Sequence, residues 1–114
     1  MADCIFCKII AGEIPSKKVY EDEQIYAFED INPQTPVHVL IVPKAHIASA
    51  NELNEDNAAV VAHIFAAAGK IAHRLGVAES GYRIINNCGD DAGQTVHHLH
   101  FHLLGGRSMG EKLV

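Results

Sequence analysis

From Thr95 to Leu104 the chain reads Thr-Val-His-His-Leu-His-Phe-His-Leu-Leu. In extended backbone, successive side chains project to opposite faces. His98, His100 and His102 therefore share one face, and Leu99, Phe101 and Leu103 share the other. The segment is predicted to be a strand with a core on its leucine side and a row of imidazoles on its opposite side. Histidine changes charge near neutrality and serves as nucleophile, general base, donor or metal ligand. Such a row builds a site far better than it builds a sheet surface. His97 lies on the face away from the row, and His63 and His73 lie in a helical pattern, so these are read as structural or surface residues.

The remaining punctuation places this strand in a fold. Residues 4–11 are apolar and short, one or two helical turns ahead of the break from Gly12 to Pro15. Lys17 to Glu21 and Gln24 to Phe28 read as strands around the acidic turn Asp22-Glu23. Asn32-Pro33-Gln34-Thr35-Pro36 is a turn, and the β-branched run Val37 to Val42 ends at Pro43. Residues 55–75 carry the one clear helix, with Val60, Val61, Ile64, Phe65, Ala68, Ile71, Ala72 and Leu75 at helical spacing. Asn54 suits its cap and Gly76 its exit. Tyr82 to Asn87 is a further strand, Cys88 to Gln94 a glycine- and aspartate-rich loop, and Gly105-Gly106 closes the histidine strand. The expected class is α+β: an antiparallel meander sheet with one long helix on one face, in a single domain spanning residues 1–114.

Composition narrows the function. Nine Lys and Arg against fourteen Asp and Glu give a net charge of -5, the wrong sign for a general nucleic-acid surface, though not for one small anion in a pocket. No apolar run approaches the roughly 20 residues of a membrane span, and the start Met1-Ala2-Asp3-Cys4 carries no basic segment and apolar core of an export leader. Three cysteines, Cys4, Cys7 and Cys88, are an odd number with one close pair, which points to a reducing, cytoplasmic setting.

Two chemistries are open to the histidine row. It can hold a catalytic metal, since His-x-His places neighbouring ligands on one strand face. Alternatively one imidazole attacks phosphorus directly while its neighbours hold the phosphate. Gly93-Gln94-Thr95, just ahead of the row, favours the second, because glycine-freed backbone N–H groups, an amide and a hydroxyl suit phosphate oxygens.

The pattern Gly93-Gln94-Thr95-Val96-x-His98-Leu99-His100-Phe101-His102-Leu103-Leu104-Gly105-Gly106-Arg107 resembles the signature of the histidine triad (HIT) superfamily, in its Hint branch. Ile5-Phe6-x-Lys8-Ile9-Ile10, Glu13-Ile14-Pro15, Ala27-Phe28-x-Asp30-Ile31, Pro33-Gln34-x-Pro36-x-His38, Pro43-Lys44-x-His46 and Gly81-Tyr82-Arg83 extend the resemblance over nearly the whole chain. It implies a HIT-like fold and a homodimer built on the long helix and the strand near Tyr82. It implies hydrolysis of purine nucleoside 5′-phosphoramidates through a covalent nucleotidyl-histidine. His100 would be the nucleophile, with His98, His102 and Thr95 completing the catalytic set. The nucleotide would contact Ile5, Phe6, Ile9, Phe28, Asp30, Ile31, Asn87, Gly93, Gln94, Thr95, His100 and His102, with Asp30 on the ribose hydroxyls. No cofactor is implied for the chemistry. Some bacterial relatives pair Cys-x-x-Cys with two histidines around a structural zinc, and the matching residues here are Cys4, Cys7, His46 and His98. Two other functions compete: hydrolysis of a dinucleoside polyphosphate, and a nucleotide- or partner-binding module whose hydrolysis is incidental. The chain departs from the resemblance at His97, where a tyrosine is usual, and in the tail Ser108 to Val114.

Overall fold

Five strands and two α-helices make up the computed structural model, which describes residues 3–114. The reading of the start as leaderless involves Met1 and Ala2, which lie outside the described residues. The order along the chain is α1 (Ile5–Ile10), β1 (Lys18–Glu21), β2 (Ile25–Glu29), β3 (Val37–Pro43), α2 (Ala59–Arg74), β4 (Tyr82–Ile85) and β5 (Phe101–Gly105). The sheet runs β1-β2-β3-β5-β4, antiparallel at every pairing. The class is α+β, as expected. The meander holds for the first three strands, after which the chain crosses through α2, lays β4 at the far edge and returns with β5 beside β3.

This return puts the histidine segment in the middle of the sheet, paired on both sides. Opposite residues of an antiparallel pair share a face. Ile41 faces Phe101 and Val39 faces Leu103, and all four lie in the core beneath α2. Leu40 faces His102 and His38 faces Leu104 on the opposite side, where Phe6, Ile9, Tyr26, Phe28, Leu40 and Val42 form a second, smaller cluster under α1. α2 turns Ile64, Ala67, Ala68, Ile71 and Ala72 inward. It ends where Gly76, at φ +75°, lets the Val77 N–H reach the Ala72 carbonyl (2.9 Å) and its own N–H reach the His73 carbonyl (3.2 Å).

Two boundaries differ from the sequence reading. The long helix begins at Ala59, four residues later than expected, because the Asn54 side chain instead caps a turn, accepting the Asp56 and Asn57 N–H groups at 2.8 and 3.2 Å. The histidine strand begins only at Phe101. Ahead of it, backbone groups that a ladder would use have other partners: the Leu99 N–H donates to the Ile47 carbonyl (2.6 Å) and the His100 carbonyl accepts from Asn86 Nδ2 (2.9 Å). The alternation of faces survives, with Leu99 fully buried in the core under α2 and His98 and His100 ringed against Phe6.

Gly105-Gly106 is a steric requirement as well as a strand end. A Cβ on Gly105 would sit 3.1 Å from Val77, and one on Gly106, at φ +95°, would sit 2.9 Å from Pro36 Cβ. Among the described residues no helix is long and apolar enough to cross a membrane.

Candidate active site

Each imidazole of the row is oriented by a backbone group, and these groups decide which nitrogen carries the proton. The His100 Nδ1 lies 2.7 Å from the His98 carbonyl oxygen, which can only accept, so Nδ1 carries hydrogen and Nε2 is left with a free lone pair. His98 Nε2 lies 2.8 Å from the Pro43 carbonyl, so its proton is on Nε2 and its Nδ1 is bare. For His102 the wiring runs through a second ring. The Gln34 N–H donates to His38 Nδ1 (3.0 Å), leaving hydrogen on His38 Nε2, which donates to His102 Nδ1 at 2.8 Å. His102 Nε2 is thereby an N–H donor. Burial, then neighbouring His100 and His38, hold His102 down to about 4, and burial lowers His38 as well despite Asp30 beside it. Both rings are neutral at pH 7, as this pattern of donors requires.

His100 and His102 stand with ring centroids 5.2 Å apart, and His100 is only 6% exposed. A bare nitrogen on one ring beside an N–H donor on the next is an arrangement for nucleophilic attack on a centre whose oxygen is held by the neighbour. The three rings of the row do not form a ligand cluster among the described residues; instead His98 joins one group of donors and His102 another.

The first group is Cys4, Cys7, His46 and His98, whose donor atoms all lie within 4.8 Å of one another. His98 Nδ1 is 3.3 Å from Cys4 Sγ and 3.5 Å from Cys7 Sγ, and Cys7 Sγ is 3.4 Å from His46 Nδ1. A tetrahedral zinc site has sulfur–nitrogen edges of about 3.6 Å, so the donors stand close to that spacing. His98 offers its bare nitrogen while its other nitrogen is tied to a carbonyl, the usual arrangement of a metal-bound histidine. Burial and the adjacent Cys4 sulfur push the Cys7 thiol up to about 11. The residues fit a closed structural zinc.

The second group, Asp30, His38 and His102, does not fit a metal in the same way. The Gln34 N–H forces hydrogen onto His38 Nε2, the atom that would have to bind the ion. Asp30 Oδ1 accepts the Asn32 N–H at 2.8 Å, and Oδ2 lies 3.4 Å from His38 Nε2.

Of the apolar residues predicted to line a nucleoside cleft, Phe6, Ile9 and Phe28 come together in the cluster beneath α1, while Ile5 is 46% exposed and Ile31 fully exposed. Phe6 meets the His100 ring edge-on at a centroid distance of 5.1 Å. Asn87 is half-buried one residue beyond Asn86. The Gly93-Gln94 segment differs from the sequence reading. The Gly93 N–H donates to Asp90 O (3.0 Å) and the Gln94 N–H to Gly89 O (3.1 Å). The Gln94 amide is buried, giving its hydrogens to Ala48 O and Val96 O and accepting the Gly89 N–H. These groups brace the loop and are not free donors. Thr95 is exposed, and with Ile5, Val96, His97 and Asp3 it borders a cavity of about 430 Å³ next to Cys4 and His46.

Two residues escaped the sequence reading. Asn86 Nδ2 donates to the His100 carbonyl, and His38 sets the proton on His102. His38 sits on the face of the row by strand alternation, a signal the sequence carried; nothing in the sequence distinguished Asn86 from Asn87.

A HIT domain family model matches residues 11–109. The Escherichia coli (strain K12) protein named purine nucleoside phosphoramidase is 45% identical over 111 residues, covering 97% of this chain and 93% of that protein. A HIT family hydrolase from Clostridium thermocellum superposes with a TM-score of 0.98 at 58% identity, over 100% of this chain and 99% of that one. A histidine triad protein from Clostridium difficile superposes at 0.95 with 48% identity, over 98% and 97% of the two chains.

Proposed function

This chain is a member of the HIT domain family and a hydrolase, and on that premise we propose that it cleaves the P–N bond of purine nucleoside 5′-phosphoramidates. The observation that carries the reading is the 2.7 Å bond from His100 Nδ1–H to the His98 carbonyl, which leaves Nε2 bare on a ring that is only 6% exposed. Nε2 attacks the α-phosphorus in line, the P–N bond breaks, and the amine departs with the bonding pair and takes up a proton. The resulting phosphorus–Nε2 bond is then cleaved by water, releasing the nucleoside monophosphate. His102 donates from Nε2 to a phosphate oxygen, which gains negative charge as the attack proceeds. Thr95 lies on the leaving-amine side.

The base rests against Ile5, Phe6, Ile9, Phe28 and Ile31, with the exposed Ile5 and Ile31 covered by the ligand. Asp30 accepts from the ribose hydroxyls with the lone pairs its turn leaves over. Asn87, Gly93 and Gln94 shape the phosphate end, the last two through the loop they brace. The chemistry calls for no cofactor. Cys4, Cys7, His46 and His98 hold a zinc ion that supplies structural cross-linking, not a reaction step. We assign residues 1–114 to one domain and the protein to the cytoplasm, and we assign a homodimer, for which the half-buried edge strand β4 and the half-exposed Phe65 on α2 are the support.

The test is quenching in alkaline denaturant during turnover of adenosine 5′-phosphoramidate, because a phosphorus–imidazole bond survives base and is hydrolysed by acid. AMP is expected as product, with an AMP adduct on the peptide containing His100. Turnover with no such adduct would remove the covalent step. A second nucleotide as the leaving group, with no action on the phosphoramidate, would move the protein to the dinucleoside polyphosphate hydrolases. AMP binding with no turnover of either substrate would make it a binding module.

A further inference from the structure

Asp30 faces two ways. Outward, its side chain is 19% exposed and borders a cavity of about 500 Å³ together with Ile31 and Pro33, with Ser16 and Lys17 also lining it. Inward, its Oδ2 lies 3.4 Å from Nε2 of His38, whose side chain is only 3% exposed. The backbone fixes this approach, because the Asp30 N–H donates to the His38 carbonyl at 3.0 Å. His38 Nε2 thus carries one hydrogen before two acceptors, His102 Nδ1 at 2.8 Å and Asp30 Oδ2 at 3.4 Å. The nearer acceptor is a neutral ring. The farther one is a carboxylate, whose charge strengthens any hydrogen bond it accepts. The hydrogen has no third choice, since the Gln34 N–H keeps it off His38 Nδ1.

We infer that Asp30 is a positioning residue for His102 as well as a ribose ligand: the sugar hydroxyls, by occupying the Asp30 carboxylate, leave the His38 hydrogen to His102 and so fix the donor that meets the phosphate. This deepens the reading of the substrate as a ribonucleotide and rests on it. One Asp30 oxygen already accepts the Asn32 N–H. Two hydroxyls donating to the remaining lone pairs use up what the carboxylate has to offer His38. The His38 hydrogen then points to His102 Nδ1, and the His102 hydrogen is confined to Nε2. Without the hydroxyls the carboxylate competes for that hydrogen, the contact to His102 weakens, and His102 is released to carry its own hydrogen on Nδ1, where it cannot reach the phosphate. A substrate lacking the hydroxyls therefore binds more weakly and, once bound, reacts more slowly. A ribose site that only adds affinity would change binding and leave the bound substrate's rate alone.

Two readouts on the full chain test this. The first is the ring nitrogens of His102, followed by NMR as adenosine is added. Adenosine has no phosphate to meet His102, so the expected gain in the form with hydrogen on Nε2 must travel through Asp30 and His38. The second is the single-turnover rate at saturation for adenosine 5′-phosphoramidate and its 2′,3′-dideoxy counterpart. The dideoxy substrate is expected to react more slowly by on the order of tenfold, a fraction of the roughly hundred- to thousandfold that loss of a whole donor costs. In Asp30→Asn, checked for fold by circular dichroism, the ratio of the two rates should shrink toward one, because the competing charge is gone. A His102 ring that adenosine leaves unchanged overturns the inference, as do equal saturating rates in the parent or a ratio that Asp30→Asn does not alter. If the dideoxy substrate binds too weakly to saturate, the adenosine titration decides alone; adenosine that does not bind removes the ribose reading and the inference with it. Failure of the reaction reading has its own signature: a protein that cleaves neither phosphoramidate, yet whose His102 responds to adenosine, keeps the coupling and loses the reaction.

Discussion

On the face covered by α2, the sheet buries Ile25, Ile41, Leu99 and Leu103 at 0% exposure, among apolar neighbours throughout. On the other face lie His38 on β3, His102 on β5, and His98 and His100 in the segment ahead of β5, the last two packed against Phe6 of the six-residue α1. The first face is a core in the ordinary sense, stabilised by area removed from water. The second is nearly as well buried, yet its order comes from hydrogen bonds that tie the rings to backbone groups of fixed position, directly or, for His102, through His38. Removing methylenes from the first costs stability. Removing a ring from the second costs chemistry, and the fold has the α2 face to stand on. The contrast also explains why the small cluster under α1 is thin: a thick cover would fill the space a substrate needs.

The sharpest way to break this comparison is a pair of substitutions close together on β5 and the segment before it. His100→Ala is expected to lower turnover by at least about ten-thousandfold while the circular dichroism spectrum and melting temperature stay near those of the parent. A variant retaining a tenth of the activity would take the nucleophile's role away from His100. Leu103→Ala should do the opposite. Chemical denaturation is expected to show a loss of about 2–5 kcal/mol, with kcat of the remaining folded protein unchanged; equal damage to kcat would show that the two faces are not separable.

Acid distinguishes the faces by where it acts. His102 is held at about 4 against an ordinary value of 6.5, so the unfolded chain takes up a proton there that the folded chain refuses. The stability this gives is complete above pH 6.5 and is lost as the pH falls toward 4, by roughly 3 kcal/mol at most. On the helix side, burial alone would raise Asp22, but the N–H groups of Gln24 and Ile25, His63 and the Tyr20 hydroxyl hold it at about 2. Its contribution persists to pH 3.8 and declines only below it. Melting curves from pH 7 to 3 should therefore show the upper window, to which buried His38 and His98 also contribute, shrink in His102→Gln and the lower one remain. A single window unaffected by that substitution would refute the assignment.

The smallest effect belongs to Asn86. Replacing it by Ala removes the donor to the His100 carbonyl, and kcat is expected to fall by up to about tenfold with KM little changed. A change confined to KM would place Asn86 in substrate binding rather than in positioning.

Much of this was readable from residue order. Alternation alone separated His98, His100 and His102 from Leu99, Phe101 and Leu103, and helical spacing located α2. What alternation cannot report is where a ladder begins: the strand starts at Phe101 because Asn86 and Ile47 take up backbone groups upstream, and those are distant in the chain. Glycine at position 93 suggested free amides, but a 3₁₀ turn over Asp90–Ala92 engages them. Cys4-x-x-Cys7 lacks a second pair in sequence; the family resemblance named His46 and His98 as its partners, and the fold brings the four donor atoms within 4.8 Å of one another.

The chain of bonds from the Gln34 amide through His38 to His102 has a direction that no list of histidines conveys. A protein engineer who grafts His-x-His-x-His onto the middle strand of another sheet transfers the rings without the peptide groups that orient their protons. The transplant needs three further parts: a carbonyl in the place of Pro43, an amide in the place of Gln34, and the His38 ring that carries that amide's effect to His102. In this respect the turn at residues 32–36 is as much a component of the histidine site as the segment that carries the rings.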